Sequence, residues 1–395
     1  MTMWQQLKVQ GGNRRWQAWR DVLVPWAVSR LLLLFSGWFA GYFEANPNYG
    51  DAAAITRGWQ FSPIRILDIW GRWDSSWYLD IALHGYSVQG PIETTQSNMA
   101  FFPLYPFMIR AILMLLPESA RTAETALFIG VILSNITFLA ALFVLYRLTL
   151  FLVLDRAVAQ RTQWYAVLFP AAFFFAAAYT EALFTLLTVS MFYAALCRKW
   201  WAAGILGALA TLTRPSGILL VVPLAWMYEE AIDWKVRQTR WNSLWIALLP
   251  LAFVGFMASL QPLTGDWIAP LRAQEAWSST VLAPWITIFN PTVGVVPYIT
   301  RIEQMLLLGA MALSGVALIK LPTKALGLYV LLLIAAMLAT GQILDTARYL
   351  STAFPLLITL ALMGKHQTID RMVLISFAAG QALLMVAWTR FYWAT

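Results

Sequence analysis

The chain has 395 residues, of which 60% are hydrophobic and 12% are charged. A water-soluble protein of this size cannot bury so much apolar surface, so the composition excludes an ordinary soluble enzyme and predicts a polytopic membrane protein. The formal net charge is +8, but the basic residues form short clusters between apolar runs. This pattern indicates topology signals and lipid contact rather than nucleic-acid binding. Cys197 is the only cysteine, which excludes a disulfide framework or a thiolate metal site.

The apolar runs predict an all-α polytopic membrane protein with about eleven transmembrane helices in a single domain, residues 1–395. The runs lie near residues 22–42, 124–146, 163–178, 182–197, 201–213, 217–228, 243–261, 304–319, 325–341, 350–364 and 372–389. The first run follows the basic residues Lys8, Arg14, Arg15 and Arg20. We therefore expect an uncleaved first helix and a cytoplasmic N-terminus. Two long outer loops are expected, at 43–122 and 262–302.

The six lysines support this orientation. With the N-terminus inside, all of them fall in cytoplasmic segments, as the positive-inside rule requires. This assignment holds only if segment 99–117 does not cross the membrane, because a crossing would place five of the six lysines outside. Pro103 and Pro106 remove backbone donors and Arg110 lies in the middle of the segment, so an interfacial helix on the outer face is expected. The alternative is a true span, with another span miscounted elsewhere.

Polar residues concentrate in RWDSSWYLDIALHGY (72–86), inside the first outer loop. If this segment is helical, Asp74 and Tyr78 share one face. The neighbouring stripe carries Trp73, Trp77, Asp80 and His84. Asp74 and Asp80 then lie about 120° apart, which does not match the paired carboxylates of a glycosidase. One aspartate would act alone, with Trp73 and Trp77 anchoring the helix at the interface; a polar loop at the membrane surface is the alternative.

Charged residues also mark the outer ends of later spans. Glu181 in YTEALF either caps a helix or contacts a sugar hydroxyl. Arg214 in TRPSG either extends to the lipid headgroups or binds a phosphate with its fork of donors. Arg348 and Tyr349 follow Asp345, which either pairs with Arg348 or leaves it to face the anionic leaving group of a lipid phosphate.

The segment NMAFFPLYP (98–106) combines aromatic residues with prolines beside the expected interface. Such a composition is typical of a rigid amphipathic segment that packs on lipid. The functional alternative is an apolar shelf that guides an isoprenoid or acyl chain to the site. The residues alone leave both open.

Taken together, these motifs resemble the PIG-V family of membrane mannosyltransferases, whose eukaryotic members add the second mannose in glycosylphosphatidylinositol assembly. The resemblance covers roughly residues 20–360 and rests on WDSSWYLDIALHGY (73–86), FFPLYP (101–106), FPAAFFFAAAYTEALF (169–184), TRPSG (213–217) and RYLSTAFPL (348–356). It implies a fold similar to GT-C glycosyltransferases, with membrane-parallel helices in a large first outer loop. It also implies a polyprenyl- or dolichyl-phosphate sugar as the donor.

The same resemblance implies that Asp74 is the general base of an inverting transfer to a lipid or glycan hydroxyl on the extracytoplasmic face. Candidates for binding the donor phosphate are Arg348, Arg214, Arg72 and Tyr349. Candidates for binding the sugar or acceptor are Glu181, Trp73, Tyr78, Asp80 and His84. The sequence has no DxD or HExxH motif, so neither a metal nor a cofactor is expected. The expected partners are the lipid-linked donor, the acceptor and membrane lipids, with no nucleic acid.

The chain departs from the R-x-N-G expected in the family at Ser216, and it is shorter than the eukaryotic enzymes. We therefore expect a prokaryotic relative in the cytoplasmic membrane that acts on another acceptor. Two other classes remain open. A transporter or lipid flippase without covalent chemistry would place charges near the membrane midplane, and an accessory GT-C protein would bind the lipid-linked sugar without catalysis.

Overall fold

The computed structural model describes residues 13–46, 60–88, 90–277, 282–289, 297–341, 343 and 345–392. Lys8 and parts of the two expected outer loops, at 47–59, 89, 278–281 and 290–296, lie outside the described residues. The described segments contain helices and no strand. The all-α class predicted from the apolar runs is confirmed.

The helices of ten or more residues are labelled in chain order. They are α1 (Asn13–Phe39), α2 (Ser75–His84), α3 (Leu104–Leu113), α4 (Ala123–Val153), α5 (Arg156–Leu168), α6 (Glu181–Leu196), α7 (Trp200–Thr211), α8 (Val221–Ala231), α9 (Leu248–Thr264), α10 (Pro297–Lys320), α11 (Lys324–Ala339), α12 (Phe354–Met363) and α13 (Gln367–Thr389). Shorter α-helices lie at Arg65–Asp68, Ala269–Arg272, Pro284–Phe289 and Thr346–Ser351. Short 3₁₀ helices lie at Ala40–Tyr42, Asn98–Ala100, Glu118–Ala120, Ala172–Phe175, Pro215–Leu220, Val236–Gln238, Trp241–Ala247 and Ala273–Trp277.

Among the described residues, five helices are long and apolar enough to cross a membrane. They are Trp16–Tyr42, Ala123–Val153, Trp241–Thr264, Arg301–Lys320 and Gln367–Thr389. Shorter apolar helices, α6 and α11 among them, accompany these five. Sixteen residues of helix extend about 24 Å, less than the roughly 30 Å of a hydrocarbon core. The total of about eleven crossings therefore remains a prediction.

The apolar run 163–178 is not one helix, contrary to expectation. Helix α5 ends at Leu168, and the chain continues through Pro170 into the 3₁₀ helix Ala172–Phe175. Proline has no backbone N–H and clashes with the preceding turn, so an α-helix does not continue through it. The break lets residues 171–180 fold inside the bundle, where they are buried.

The first outer loop contributes two helices that pack on each other and on α4. Helix α3 has ten residues and is about 15 Å long, roughly half of the hydrocarbon thickness. Its exposed residues include Phe107 and Ile112, which fits the prediction of an interfacial helix. That placement stays a prediction, because no lipid contact has been observed.

One expectation about the aromatic residues of this loop is wrong. Trp77 does not anchor α2 at the membrane surface, because its side chain is buried between the rings of Phe101 and Trp277. In the segment 98–106, Phe102 and Tyr105 are also buried in the protein, and a role of this segment in guiding a lipid chain stays a prediction. Tyr105 packs against α2 and α4, and Phe102 packs against α9, so contacts within the protein take up apolar surface that the sequence pattern assigned to lipid.

Helices α6, α7 and α8 bring two of the predicted charged residues to the same end of the bundle. Glu181 begins α6, and Arg214 lies between α7 and the 3₁₀ helix Pro215–Leu220 that leads into α8. Gly217 allows this reversal, because a Cβ there would lie 2.5 Å from the Thr211 Cα. Only glycine fits where two backbones approach so closely.

Candidate functional site

Four charged side chains from distant parts of the sequence form one connected network. Arg348 Nη1 donates to Asp74 Oδ2 at 2.6 Å, and Arg348 Nε donates to Glu181 Oε1 at 2.5 Å. Arg214 Nη1 donates to the same Glu181 oxygen at 2.5 Å. The order of contacts is therefore Asp74, Arg348, Glu181 and Arg214. We call these four residues the charged network.

The charged network is buried except at Asp74. Glu181 is 0% exposed, Arg214 is 6% exposed and Arg348 is 7% exposed, whereas the Asp74 side chain is 24% exposed. Arg214 therefore does not extend to the headgroups, and Glu181 does more than begin a helix. Ion pairs withdrawn from water are costly unless their geometry and hydrogen bonds compensate. Such a network is typical of a site where function, rather than stability, requires charge.

Tyr179 fixes the position of Asp74. Its hydroxyl accepts a hydrogen bond from the Asp74 backbone N–H at 3.0 Å and donates to the Arg72 carbonyl at 2.9 Å. Between these two residues, Trp73 adopts φ of +51°, a left-handed conformation that is unusual for a bulky side chain. Tyr179 thus holds the backbone on both sides of a strained residue, next to which Asp74 contacts Arg348.

Arg348 is positioned from two directions. It lies on the short helix Thr346–Ser351, which follows Asp345 at φ of +66°. Its guanidinium packs over the rings of Phe174 and Tyr179, at 5.2 and 4.7 Å from their centroids. Asp345 Oδ2 also lies 3.5 Å from Arg348 Nη1, so the local ion pair predicted from the sequence and the contact with Asp74 coexist.

Two carboxylate oxygens of the charged network retain hydrogen-bonding capacity. Asp74 Oδ1 has no side-chain or backbone donor among the residues that the structure describes. Glu181 Oε2 is buried and likewise lacks a partner there. Burial raises the pKa of Asp74 above its ordinary value, while the positive charge of Arg348 acts in the opposite direction. A partly accessible carboxylate with a raised pKa and an open oxygen can accept a proton from a hydroxyl.

Of the other predicted donor-binding residues, Tyr349 joins the site and Arg72 does not join the charged network. The Arg214 guanidinium lies 5.0 Å from the centre of the Tyr349 ring. Arg72 instead pairs with Asp68 at 2.8 Å, and its guanidinium lies over the ring of Phe391. Arg72 contributes to the site through its backbone carbonyl, which accepts a hydrogen bond from the Tyr179 hydroxyl.

The predicted sugar and acceptor residues divide between two places. Tyr78 reaches the site wall, where its hydroxyl lies 3.3 Å from that of Thr180. Asp80 points elsewhere: its Oδ1 lies 3.0 Å from His84 Nδ1, and Asn98 Nδ2 donates to its Oδ2 at 2.8 Å. The helical geometry that separated Asp74 from Asp80 is therefore correct. The His84 side chain, which contacts Asp80, is largely exposed to solvent.

Sequence reasoning missed Tyr179, Phe174 and Asn98 as contributors. Tyr179 directly precedes Thr180 and Glu181, so its position in YTEALF was the available signal. Phe174 lies in an uninterrupted apolar run whose inward fold follows from the break at Pro170. Nothing in the sequence pairs Asn98 with Asp80.

Residues 64–253 match the family model described as mannosyltransferase (PIG-V). Over these residues, slightly less than half of the chain, the match confirms the resemblance read from the motifs, and the range includes three residues of the charged network. Arg348 lies outside the matched range. The fourth member of the network therefore rests on the structure and not on this match.

The curated relatives include GPI alpha-1,6-mannosyltransferase 2 of Cricetulus griseus, which is 34% identical over 156 residues. This match covers 38% of the present chain and 30% of the relative. The protein of the same name from Rattus norvegicus is 33% identical over 153 residues, with the same two coverages. The chain thus matches less than a third of the length of these relatives.

Among solved structures, the fold is similar to the apo form of the oligosaccharyltransferase from Archaeoglobus fulgidus. The TM-score is 0.51 at 13% sequence identity, with 95% of this chain and 56% of the other covered. At this identity the likeness concerns the fold alone. It agrees with the GT-C-like architecture expected from the motifs.

Proposed function

We propose that this protein is an inverting mannosyltransferase that uses a polyprenyl- or dolichyl-phosphate mannose donor. The acceptor is a hydroxyl group of a lipid or glycan, and transfer takes place on the extracytoplasmic face. The observation that carries the proposal is the charged network, in which a partly exposed carboxylate contacts one buried arginine and is linked through it and Glu181 to a second. The family match over residues 64–253 supports mannose as the sugar.

Asp74 acts as the general base. Its open Oδ1 accepts the proton of the acceptor hydroxyl while the oxygen of that hydroxyl forms a bond to the anomeric carbon. The bond from that carbon to the phosphate oxygen breaks, and the lipid phosphate departs with the electron pair. General-base assistance of this kind typically contributes about 10²–10⁴-fold.

The order of contacts in the charged network favours Arg214 over Arg348 as the principal phosphate ligand. Inversion places the base and the leaving group on opposite sides of the sugar ring. Arg348 touches Asp74 directly, whereas Arg214 is separated from Asp74 by Arg348 and Glu181. We therefore assign Arg348 to orienting Asp74 and Arg214, beside Tyr349, to stabilising the charge that develops on the phosphate.

Glu181 fixes the positions of Arg214 and Arg348 relative to each other. A single oxygen accepts from both guanidinium groups, so the arginines keep a fixed relation before any donor binds. Preorganised donors stabilise developing charge without reorganising during the reaction. The unpartnered Oε2 of Glu181 is the atom we assign to a sugar hydroxyl.

The side of the membrane follows from the lysines. All six lie in segments assigned to the cytoplasm, and the residues of the charged network lie at the opposite ends of the corresponding spans. A protease-accessible tag or a single engineered cysteine in segment 85–97 would report this directly. Labelling by an impermeant reagent from outside intact cells supports the assignment, and labelling only after lysis contradicts it.

The test of the reaction uses purified protein with polyprenyl-phosphate mannose and a panel of lipid and glycan acceptors. Mass spectrometry should detect an acceptor heavier by one hexose, and the anomeric configuration of the product should be inverted. We expect a chelator to leave turnover unchanged, because a monophosphate leaving group carries less charge than a nucleotide diphosphate. Hydrolysis or transfer without inversion contradicts the mechanism.

The same preparation separates this proposal from a transporter or flippase. Reconstituted protein that moves a labelled lipid-linked sugar across liposomes without forming a covalent product would favour transport. Donor binding without either transfer or transport would instead support an accessory role.

A further inference from the structure

A second concentration of arginines surrounds a cavity at the other ends of α6, α7 and α8. The cavity has a volume of about 510 Å³, and Arg198, Arg237 and Arg240 contribute to its wall. Arg198 follows α6, whose 16 residues extend about 24 Å from Glu181. The cavity is therefore separated from the charged network by the length of these helices and plays no part in the reaction proposed above.

The wall of the cavity is built around a buried tyrosine. The Tyr228 hydroxyl donates to Asn242 Oδ1 at 2.8 Å and accepts from the Arg240 backbone N–H at 3.0 Å. Its ring packs edge-on against Trp200, with the ring centres 4.8 Å apart. These contacts join the end of α8 to the segment that carries Arg240, so the cavity has a defined wall rather than a loose surface loop.

The three arginines place their positive charges around one cavity. Among the residues that the structure describes, no carboxylate lies within ion-pair distance of Arg198, Arg237 or Arg240. The nearest acids in sequence have other partners: Asp233 pairs with Lys235, and Glu230 accepts from Trp226 and Thr323. The described residues thus supply no anion to the three positive charges around this cavity.

We propose that this cavity binds the phosphate of an anionic phospholipid headgroup. Guanidinium groups bind phosphate oxygens through paired hydrogen bonds, and basic pockets at the ends of transmembrane helices are suited to anionic headgroups. The apolar side of the cavity includes Ala231 and Ile232, which can lie beside the glycerol region of the lipid. In the topology proposed above this is the cytoplasmic end of the bundle.

Native mass spectrometry of the purified full-length protein tests the proposal. The protein is titrated in detergent with phosphatidylglycerol or, separately, with phosphatidylcholine of the same acyl chains. We expect the wild type to retain phosphatidylglycerol about tenfold better. The double variant R237Q/R240Q should lose most of that preference, because it removes two of the three guanidinium groups that line the cavity.

The variant R147Q/R371Q provides a control with the same change in net charge, because Arg147 and Arg371 are exposed and do not line the cavity. It should retain phosphatidylglycerol like the wild type. Equal retention by R237Q/R240Q and the wild type would overturn the proposal, and so would equal loss in both double variants.

Inorganic phosphate distinguishes a lipid from a soluble ligand. If millimolar phosphate raises the unfolding temperature of the wild type but not of R237Q/R240Q, and phosphatidylglycerol shows no preference, the ligand is a soluble phosphate compound and the lipid assignment is wrong. The proposal does not depend on the reaction at Asp74. Failure of mannosyl transfer would leave the lipid result unaffected, and loss of lipid binding would leave the transferase proposal standing.

Discussion

Two arginine–carboxylate clusters in this chain are alike in composition but differ in how many of their carboxylate oxygens accept hydrogen bonds. In the first, Asp21 accepts from Tyr146, from Arg156 through two nitrogens, and from Gln160. Both carboxylate oxygens are occupied, and the cluster joins α1, α4 and α5. In the charged network, Asp74 Oδ1 and Glu181 Oε2 have no donor among the described residues.

This difference separates a structural cluster from a site. In a saturated cluster every carboxylate oxygen already accepts a hydrogen bond, so none is open to a ligand and the cluster serves to hold helices together. An unsaturated, mostly buried cluster is costly in free energy unless a ligand completes it. The predictions below test this distinction with pairs of matched substitutions, beginning with the largest expected effect.

The pair D74N and D21N should differ most. D74N removes the proposed base but keeps the size of the side chain, so kcat should fall by about 10²–10⁴-fold while the unfolding temperature changes little. D21N leaves buried donors without a charged acceptor and should cost about 1–3 kcal/mol of stability with kcat of the folded protein unchanged. Transfer assays and thermal unfolding measure both quantities. Near-native transfer by D74N would exclude Asp74 as the base.

The pair R214K and R156K tests the arginine fork. Lysine keeps the charge but cannot make two parallel hydrogen bonds to phosphate oxygens, so R214K should lower kcat about 10²-fold. R156K should change kcat less than about twofold, because Arg156 serves only the saturated cluster. Equal effects on kcat would show that Arg214 is structural too.

The pair Y179F and Y146F tests positioning. Removing the Tyr179 hydroxyl frees the backbone on both sides of Trp73, and we expect kcat to fall about fivefold to tenfold with little change in KM. Y146F removes one donor to Asp21 and should affect stability alone. A fall in kcat for both variants would trace the loss to stability rather than to the placement of Asp74.

The smallest expected effect is a shift in the pH profile. The base must be deprotonated, and burial raises the pKa of Asp74. Activity is therefore present above that pKa and is lost as the pH falls through it, at a higher pH than for an ordinary aspartate. In R348Q the opposing positive charge is gone, so the acid limb of the residual activity should move further upward.

Lys365 provides the control for this profile. Its contact with Asp155 lowers the pKa of that partly exposed carboxylate, so K365Q alters a carboxylate far from the charged network. The acid limb of kcat/KM should not move in K365Q. An acid limb at or below the ordinary aspartate range in the wild type would contradict the role of Asp74.

The sequence predicted the class of fold and most members of the site because charge is conspicuous in an apolar chain. Glu181, Arg214 and Arg348 each stood out at the ends of apolar runs. Asp74 stood out in the first outer loop, where helical periodicity separated it from Asp80. Their order in the network was not predictable, because it depends on the contact between segments 274 residues apart. The roles of Tyr179 and Trp77 were also hidden, since an aromatic residue near an interface has the same pattern whether it faces lipid or protein.

The position of Arg348 has a consequence for how the protein is made. The segment that matches the family model ends at residue 253, yet Arg348 links Asp74 to Glu181, and Trp388 packs against Phe174 and Tyr179. During synthesis from the N-terminus, Asp74 and Glu181 enter the membrane long before the arginine that joins them. The charged network is therefore incomplete until the segment that carries Arg348 has been synthesised, so we expect a chain released before that point to lack the proposed transferase activity.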